Sequence, residues 1–258
     1  ILADTIAGLG HQPAHPESLA AIGSPGPRKA STMEDILQLI ADRENDYPQA
    51  LNKARERLLA RLESEPEDGE ALARLAEVQY WLGTYAGDDA ATEAFLAKGV
   101  EYGKEAAALA PDSVAANFWY ANCMAAHSMV RGMMNSLFYL KPMEKHGNRA
   151  LELDETYFHA APLRIMGRYY SKVPPWPVGS GDKKKGLELA KRAVELEPDH
   201  LYNKVVLADA WLAARYFDEA RALLKEVLAA PEPEAFKLNH ARYQAEAQQI
   251  LERLESME

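Results

Sequence analysis

One kind of punctuation recurs along this chain, and it narrows the possible folds sharply. Segments rich in small residues close on Leu62-Glu63-Ser64-Glu65-Pro66, on Ala108-Leu109-Ala110-Pro111, on Leu151-Glu152-Leu153-Asp154-Glu155, on Val194-Glu195-Leu196-Glu197-Pro198 and on Val227 to Pro231. Each ending reads as a helix stop followed by a turn that permits the next start. The intervals are 45 residues from Pro66 to Pro111, 44 to Glu155, 43 to Pro198 and 33 to Pro231. The last lies beside the 34 of a tetratricopeptide repeat, and the others fit the same unit with about ten added residues between its two helices. Strand signals are nearly absent. The expected fold is all-α: a right-handed tetratricopeptide-like helical solenoid with long intra-repeat insertions, over residues 31–258 as a single domain. Such a solenoid presents a groove and seldom carries out chemistry.

The final repeat shows the packing logic. Its first helix carries Leu207, Ala208 and Trp211, its second Ala220, Leu224 and Val227. A small residue on one helix admits a bulky one from its partner. Ala76, Ala121 and Gly167 are candidates for the small position in earlier units. Gly99, Gly103 and Ala106 make one helix slim on one face. Glycine inside a helix costs about 1 kcal/mol against alanine, so a close helix–helix approach should compensate. Asp182, Asp112-Ser113 and Asp199 mark helix starts.

Composition limits the partners. The chain has 258 residues, 48% of them hydrophobic, and a formal net charge of −10. That balance argues against nucleic acid and against non-specific docking on anionic lipid. Cys123 is the sole cysteine, so neither an internal disulfide nor an all-cysteine metal site is available. Residues 1–30, rich in Gly, Pro, Ala and Ser, read as an extended N-terminal arm or linker. The first residue, Ile1, reads as that of a processed or trimmed chain.

Two stretches depart from the plain repeat. Residues 114–140 carry Arg131 as the only formal charge. A helix apolar all round is buried or faces a cavity. It is either a central solenoid helix or the wall of an apolar ligand tunnel, with Phe118, Met124 and Met129 on that wall. As a transmembrane span it is interrupted by Asn117, Asn122, His127, Arg131 and Asn135. Residues 161–182 run from a helix into Val173-Pro174-Pro175-Trp176-Pro177, a stiff loop whose tryptophan either pins it to the helices or forms the lip of a pocket.

These residues carry a resemblance. The run from Ser136-Leu137-Phe138-Tyr139-Leu140-Lys141-Pro142 through Leu151 to Tyr157, then Pro162-Leu163-Arg164, Gly167-Arg168-Tyr169-Tyr170, Pro174 to Pro177 and Gly181-Asp182 resembles the T component associated with TRAP transporters. The layout is also similar to the repeat domain of regulator-of-microtubule-dynamics proteins. The resemblance covers about residues 66–230. It implies a periplasmic or otherwise exported bacterial helper that binds a small hydrophobic ligand or a partner protein and has no catalytic activity. The chain has no lipobox cysteine, because Cys123 is internal.

The remaining polar residues offer little chemistry. His11 and His15 have i, i+4 spacing, but Pro13 between them breaks the helix face a metal would need. Cys123 and His127 share a face in a regular helix, where a buried structural thiol competes with a nucleophile–base pair. Gly179-Ser180-Gly181 lacks the Gly-Lys-Ser/Thr ending of a phosphate loop. No catalytic residue, metal site or cofactor is expected.

The candidate ligand- or partner-binding residues lie on the inner face of the first helix of each unit. They are Glu77, Tyr80, Phe118, Asn122, Arg164, Arg168, Tyr202 and Asp209, with Arg131 and Trp176 from the two unusual stretches. Aromatics anchor a guest, while Asn and Arg supply directional hydrogen bonds. Arg164 and Arg168, one turn apart, either clamp a carboxylate or pair with acids of neighbouring units. Arg131 needs a partner if buried.

The expected function is a non-catalytic binding or scaffold protein taking a partner protein or apolar small molecule in its groove or channel. The alternative is a structural accessory subunit docked by its outer face and N-terminal arm onto a larger, membrane-associated assembly. Replacing Tyr80 and Phe118 together by alanine is expected to weaken binding without unfolding the chain.

Overall fold

The computed structural model describes residues 32–132 and 137–257. The arm expected over residues 1–30 lies outside the described residues. Thr32 opens the first helix with a capping box: its hydroxyl accepts from the Asp35 amide, and the Asp35 carboxylate accepts from the Thr32 amide. Five helix pairs follow among the described residues: α1 (Met33–Ala41) with α2 (Gln49–Ser64), α3 (Gly69–Thr84) with α4 (Asp89–Leu109), α5 (Val114–Arg131) with α6 (Leu140–Leu153), α7 (Tyr157–Lys172) with α8 (Lys183–Leu196), and α9 (Leu201–Ala213) with α10 (Phe217–Ala229). A last helix, α11 (Lys237–Glu255), ends the described chain. The second helix of each pair stops at the punctuation read from the sequence. The described residues thus form an all-α solenoid.

Successive helices pack on one another, and the first helices of successive pairs also touch: α3 on α5, α5 on α7, α7 on α9, α9 on α11. These odd-numbered helices form an inner layer and the even-numbered ones an outer layer. One apolar core runs from Ile36 to Val173, and a second holds Val205, Leu224, Ile250 and Leu254 beneath α11. Gly99 and Gly103 do mark a close approach. A Cβ on Gly103 would sit 2.7 Å from the Tyr120 Cα, so α4 meets α5 almost backbone to backbone.

The extra residues of the longer units are used in two ways. Residues 173–182 link the helices of the α7/α8 pair, and α5 and α6 are likewise separated in sequence. In the α3/α4 pair the helices themselves lengthen, to 16 and 21 residues, against 13 each for α9 and α10. The apolar run 114–140 is not one helix: α5 ends at Arg131, and Gly132 turns the chain at φ +80°. Asp182 and Ser113 cap α8 and α5, whereas α9 starts two residues beyond Asp199, with His200 at the cap position and no side-chain cap.

The start of α7 has no precedent in the repeat. Phe158, His159 and Ala160 are left-handed, with φ of 48°, 58° and 57°. Each such residue costs about 1–2 kcal/mol. The right-handed helix sets in at Ala161, so Pro162 stands in its first turn, where a missing amide is harmless. Three contacts hold this turn. The Tyr157 hydroxyl accepts from Trp119 Nε1 (3.2 Å) and Arg74 Nη1 (3.3 Å). The Phe158 ring packs on Trp119 with centroids 5.5 Å apart. The His159 carbonyl accepts from Arg164 Nη1 (3.1 Å) and Asn203 Nδ2 (3.3 Å).

Candidate functional site

The inner layer encloses two adjoining hollows of about 500 and 690 Å³. Both draw on α5, α7 and α11 and share Ala125, Met129, Ile165, Arg168, Arg242 and Glu246. The first is walled by aromatic side chains of α3, α5 and α7 (Tyr80, Trp81, Phe118, Trp119, Phe158) and closed by Tyr202 and Tyr243. The Tyr202 and Tyr243 rings stack with centroids 4.6 Å apart and planes 11° apart. The second lies towards the C-terminal ends of α7 and α11 and includes Lys172, Asp209 and Arg253.

The trough is charged in an uneven way. Three guanidinium groups surround the Tyr202 ring: Arg164 and Arg168 at 5.3 Å from its centroid, Arg242 at 4.9 Å. Arg164 is buried and donates to Asn203 Oδ1 (2.6 Å) and to the His159 carbonyl. Burial lowers its pKa, although a guanidinium stays charged. Arg168 donates to the Tyr202 hydroxyl (2.9 Å) and forms a short ion pair with Glu246. Burial opposes its charge, but Tyr202, Glu246 and Asp209 outweigh it and raise the pKa. Among the described residues Glu246 is the one carboxylate ion-paired with any of these three arginines, and Asp209 lies close enough to favour the charge of Arg168. The buried Nε atoms of Arg168 and Arg242, and Nε1 of Trp81 in the same wall, have no hydrogen-bond partner among the described residues. Such donors are rare and call for a reason. Further along, Asp209 binds Lys172 (2.7 Å) and Arg253, and despite its burial these cations hold its carboxyl below the ordinary range.

The candidate residues divide by position. Tyr80, Phe118, Asn122, Arg164, Arg168 and Tyr202 meet in the first hollow, and Asp209 lines the second. Glu77 does not reach either lining. It is buried beside Arg74 (2.9 Å), where it supports the Arg74–Tyr157 contact. Arg131 lies at the exposed end of α5, 3.7 Å from Glu93, so it faces no buried-charge problem. Trp176 is 86% exposed and lines neither hollow, so it neither pins its loop nor forms a lip. Met129 lines the trough, whereas Met124 is wholly buried in the core. Tyr80 and Phe118 are only 8% and 3% exposed and are embedded in the aromatic cluster. Truncating both therefore opens the core, at a cost of about 3–5 kcal/mol for the phenylalanine alone, so a loss of binding in that variant would not separate the site from the fold.

No nucleophile–base pair forms at Cys123. Its thiol donates to the Ala76 carbonyl (3.4 Å), and burial raises its pKa far from the reactive range. His127 turns to the Tyr139 hydroxyl (3.0 Å) instead. Among the described residues, no group of three or more His, Cys, Asp or Glu could hold a metal ion, and no helix is long and apolar enough to cross a membrane.

Sequence reasoning missed the α11 contribution: Arg242, Tyr243 and Glu246. The signal was a helical stripe at Ala247, Ile250, Leu251 and Leu254, all buried. It announces a helix but does not say which side of the stack the helix covers.

Comparison with known proteins adds the following. Residues 33–176 match the family model described as regulator of microtubule dynamics protein 1-3. No curated protein matches the chain. Among solved structures, a tetratricopeptide repeat protein of Thermus thermophilus aligns with a TM-score of 0.59 at 21% identity, over 84% of this chain and 100% of its own. Yeast Tom70 aligns with a TM-score of 0.40 at 16% identity, over 84% of this chain and 46% of its own. The Thermus thermophilus match bears on the fold alone.

Proposed function

This chain belongs to the regulator of microtubule dynamics protein 1-3 family, and on that premise we propose that it is a non-catalytic binding protein whose trough receives an acidic, partly apolar segment of a partner protein. One observation carries this reading: Arg164, Arg168 and Arg242 crowd one tyrosine ring, and among the described residues only Arg168 of the three has an ion-paired carboxylate, Glu246. A chain of net charge −10 has collected cations on its inner wall, where a guest carboxylate would find spare donors and bidentate geometry. The aromatic half of the trough suits the apolar side chains between the acids. The family name refers to microtubules, but the chemistry of the trough selects an acidic segment whichever protein carries it.

The test is a pair of fluorescein-labelled peptides, one alternating Leu with Glu and the other Leu with Gln. Anisotropy should show the Glu peptide binding more tightly by about ten- to hundredfold, the range of a charged hydrogen bond. Added salt and the Arg168→Gln/Arg242→Gln variant should each remove that preference. Equal binding of both peptides, or none, overturns the reading. The resemblance to TRAP-associated T components adds a periplasmic or otherwise exported location and a transporter partner to the proposal. Fractionation of source cells decides the first, and co-purification decides the second.

A further inference from the structure

The loop over 173–182 shows a tryptophan to solvent on a support that does not yield. The Asp182 amide donates to the Tyr170 carbonyl (2.9 Å), and the Gly181 amide to the Pro174 carbonyl (3.1 Å). The Ser180 hydroxyl donates to Glu144 Oε2 (2.6 Å) and bonds the Tyr169 hydroxyl (3.0 Å). The Ser180–Glu144 bond ties the loop to α6, and the others tie it to α7 and to itself. A Cβ on Gly179 would lie 3.6 Å from Leu140 Cδ1. Trp176 at 86% exposure and Val178 at 59% thus belong to the same region as Phe138, 62% exposed at the entrance to α6. Single exposed apolar residues are ordinary, but three on a braced corner are not.

Most of the described helices carry no acid in the first turn, and the two at this corner carry lysines there. Helices α1, α3, α4 and α10 place acids in their first turn, as the helix dipole favours. Helices α6 and α8 place none there. They begin instead with Lys141 and Lys145, and with Lys183, Lys184 and Lys185, all exposed. Lys185 lies 3.8 Å from the Tyr170 ring centroid. Lys141, Lys145, Lys183 and Lys184 have no ion-pair partner among the described residues. Of the nearby acids, Glu144 is occupied by Ser180, Tyr169 and Tyr170, and Asp182 caps α8. Two helix N-termini and five lysines therefore converge on one aromatic corner.

We propose that this corner docks on an anionic bilayer surface, with Trp176 and Phe138 at the headgroup level and the lysines against lipid phosphate and carboxylate groups. Amphipathic aromatics prefer that level, and surface lysines are drawn to anionic lipid. The net charge of −10 does not forbid it. Charges beyond a Debye length of about 8–10 Å are screened, so the local excess of lysine decides. The proposal is independent of the trough and its guest.

Flotation of the full chain with phosphatidylcholine vesicles, with and without phosphatidylserine, tests it. Binding should require phosphatidylserine and weaken with salt. Lys183→Glu/Lys184→Glu should lose more than about fivefold per lysine, the figure for simple removal. Trp81 and Trp119 are buried and Trp211 is partly buried against the core, so Trp176 should dominate a blue shift of emission on these vesicles, and Trp176→Ala should abolish it. All these positions are exposed, and circular dichroism confirms that the variants fold. Absence of flotation at low salt, equal flotation on neutral vesicles, or unchanged flotation of both variants overturns the proposal. Dimerisation lost in Trp176→Ala, without vesicle binding, overturns it in favour of a second copy of the chain.

Discussion

Burial decides the charge of His200. Its ring stacks on His159, centroids 5.1 Å apart and planes 20° apart, with Arg164 and Arg242 close by and its Nδ1 without a partner. Desolvation first, then Arg164 and His159, push its pKa down to about 3. An unfolded histidine titrates near 6.5, so below that pH the unfolded chain binds the proton and the native chain does not. Stability from this group is therefore complete above about pH 6.5 and is lost as pH falls towards 3. Between pH 7 and 5 the loss amounts to about 2 kcal/mol from His200 alone. Urea unfolding should show His200→Gln losing correspondingly less than the parent chain over that interval. His127 and His146, also held down by burial, keep part of the slope in the variant. An equal pH dependence in both chains would show that His200 is already charged in the fold. None of this was legible in the sequence, where nothing beside His200 marks it for burial. Its surroundings come from the left-handed turn of α7 and from α11, which no local pattern announces.

Helices were far more legible than their environments. The ends of α2, α4, α8 and α10 coincide with Glu-Pro and Ala-Pro turns, and that of α6 with Asp154-Glu155, because a stop is written in adjacent residues. The meeting of α4 and α5 was also foreseeable, since two glycines one turn apart in a helix make sense only against a close neighbour. The left-handed start of α7 was not, because its cost is met by Trp119, Arg74 and Asn203, which are remote in sequence. The α4/α5 contact makes a sharp prediction. Gly103→Ala should gain about 1 kcal/mol of helix propensity. The new Cβ, however, would stand 2.7 Å from the Tyr120 Cα, a backbone atom that cannot swing aside. Overpacking costs about 1–3 kcal/mol, and against unyielding backbone the upper part of that range applies, so the variant should be less stable by up to about 2 kcal/mol, seen as a lower urea midpoint at unchanged slope. A stabilised variant would mean that the two helices separate freely.

A plain solenoid is nearly one-dimensional: each unit touches its neighbours, and its ends can unfold alone. Here the ends of the inner layer meet. The Glu44 carboxylate accepts from the Asn239 amide (3.1 Å), from the Asn239 side chain and from the Tyr85 hydroxyl (3.2 Å). Beside it, Arg43 lies 4.2 Å from the Trp81 ring and 5.5 Å from that of Phe236. These contacts span nearly the whole described chain and lie next to α11, which supplies one wall of the trough. That closure explains why only part of the site could be read beforehand. Six inner-face residues were found by phase along the repeat, while Arg242, Tyr243 and Glu246 depend on where the last helix returns. Closure should also make unfolding cooperative, with a single transition in urea. Glu44→Ala leaves three donors short of an acceptor, at about 1–3 kcal/mol for each that stays buried. The variant should release α11 first, so hydrogen exchange should quicken over residues 237–255 while α3 to α8 stay protected. Uniformly faster exchange along the chain would show instead that Glu44 supports the fold globally and that the solenoid does not open from its C-terminal end.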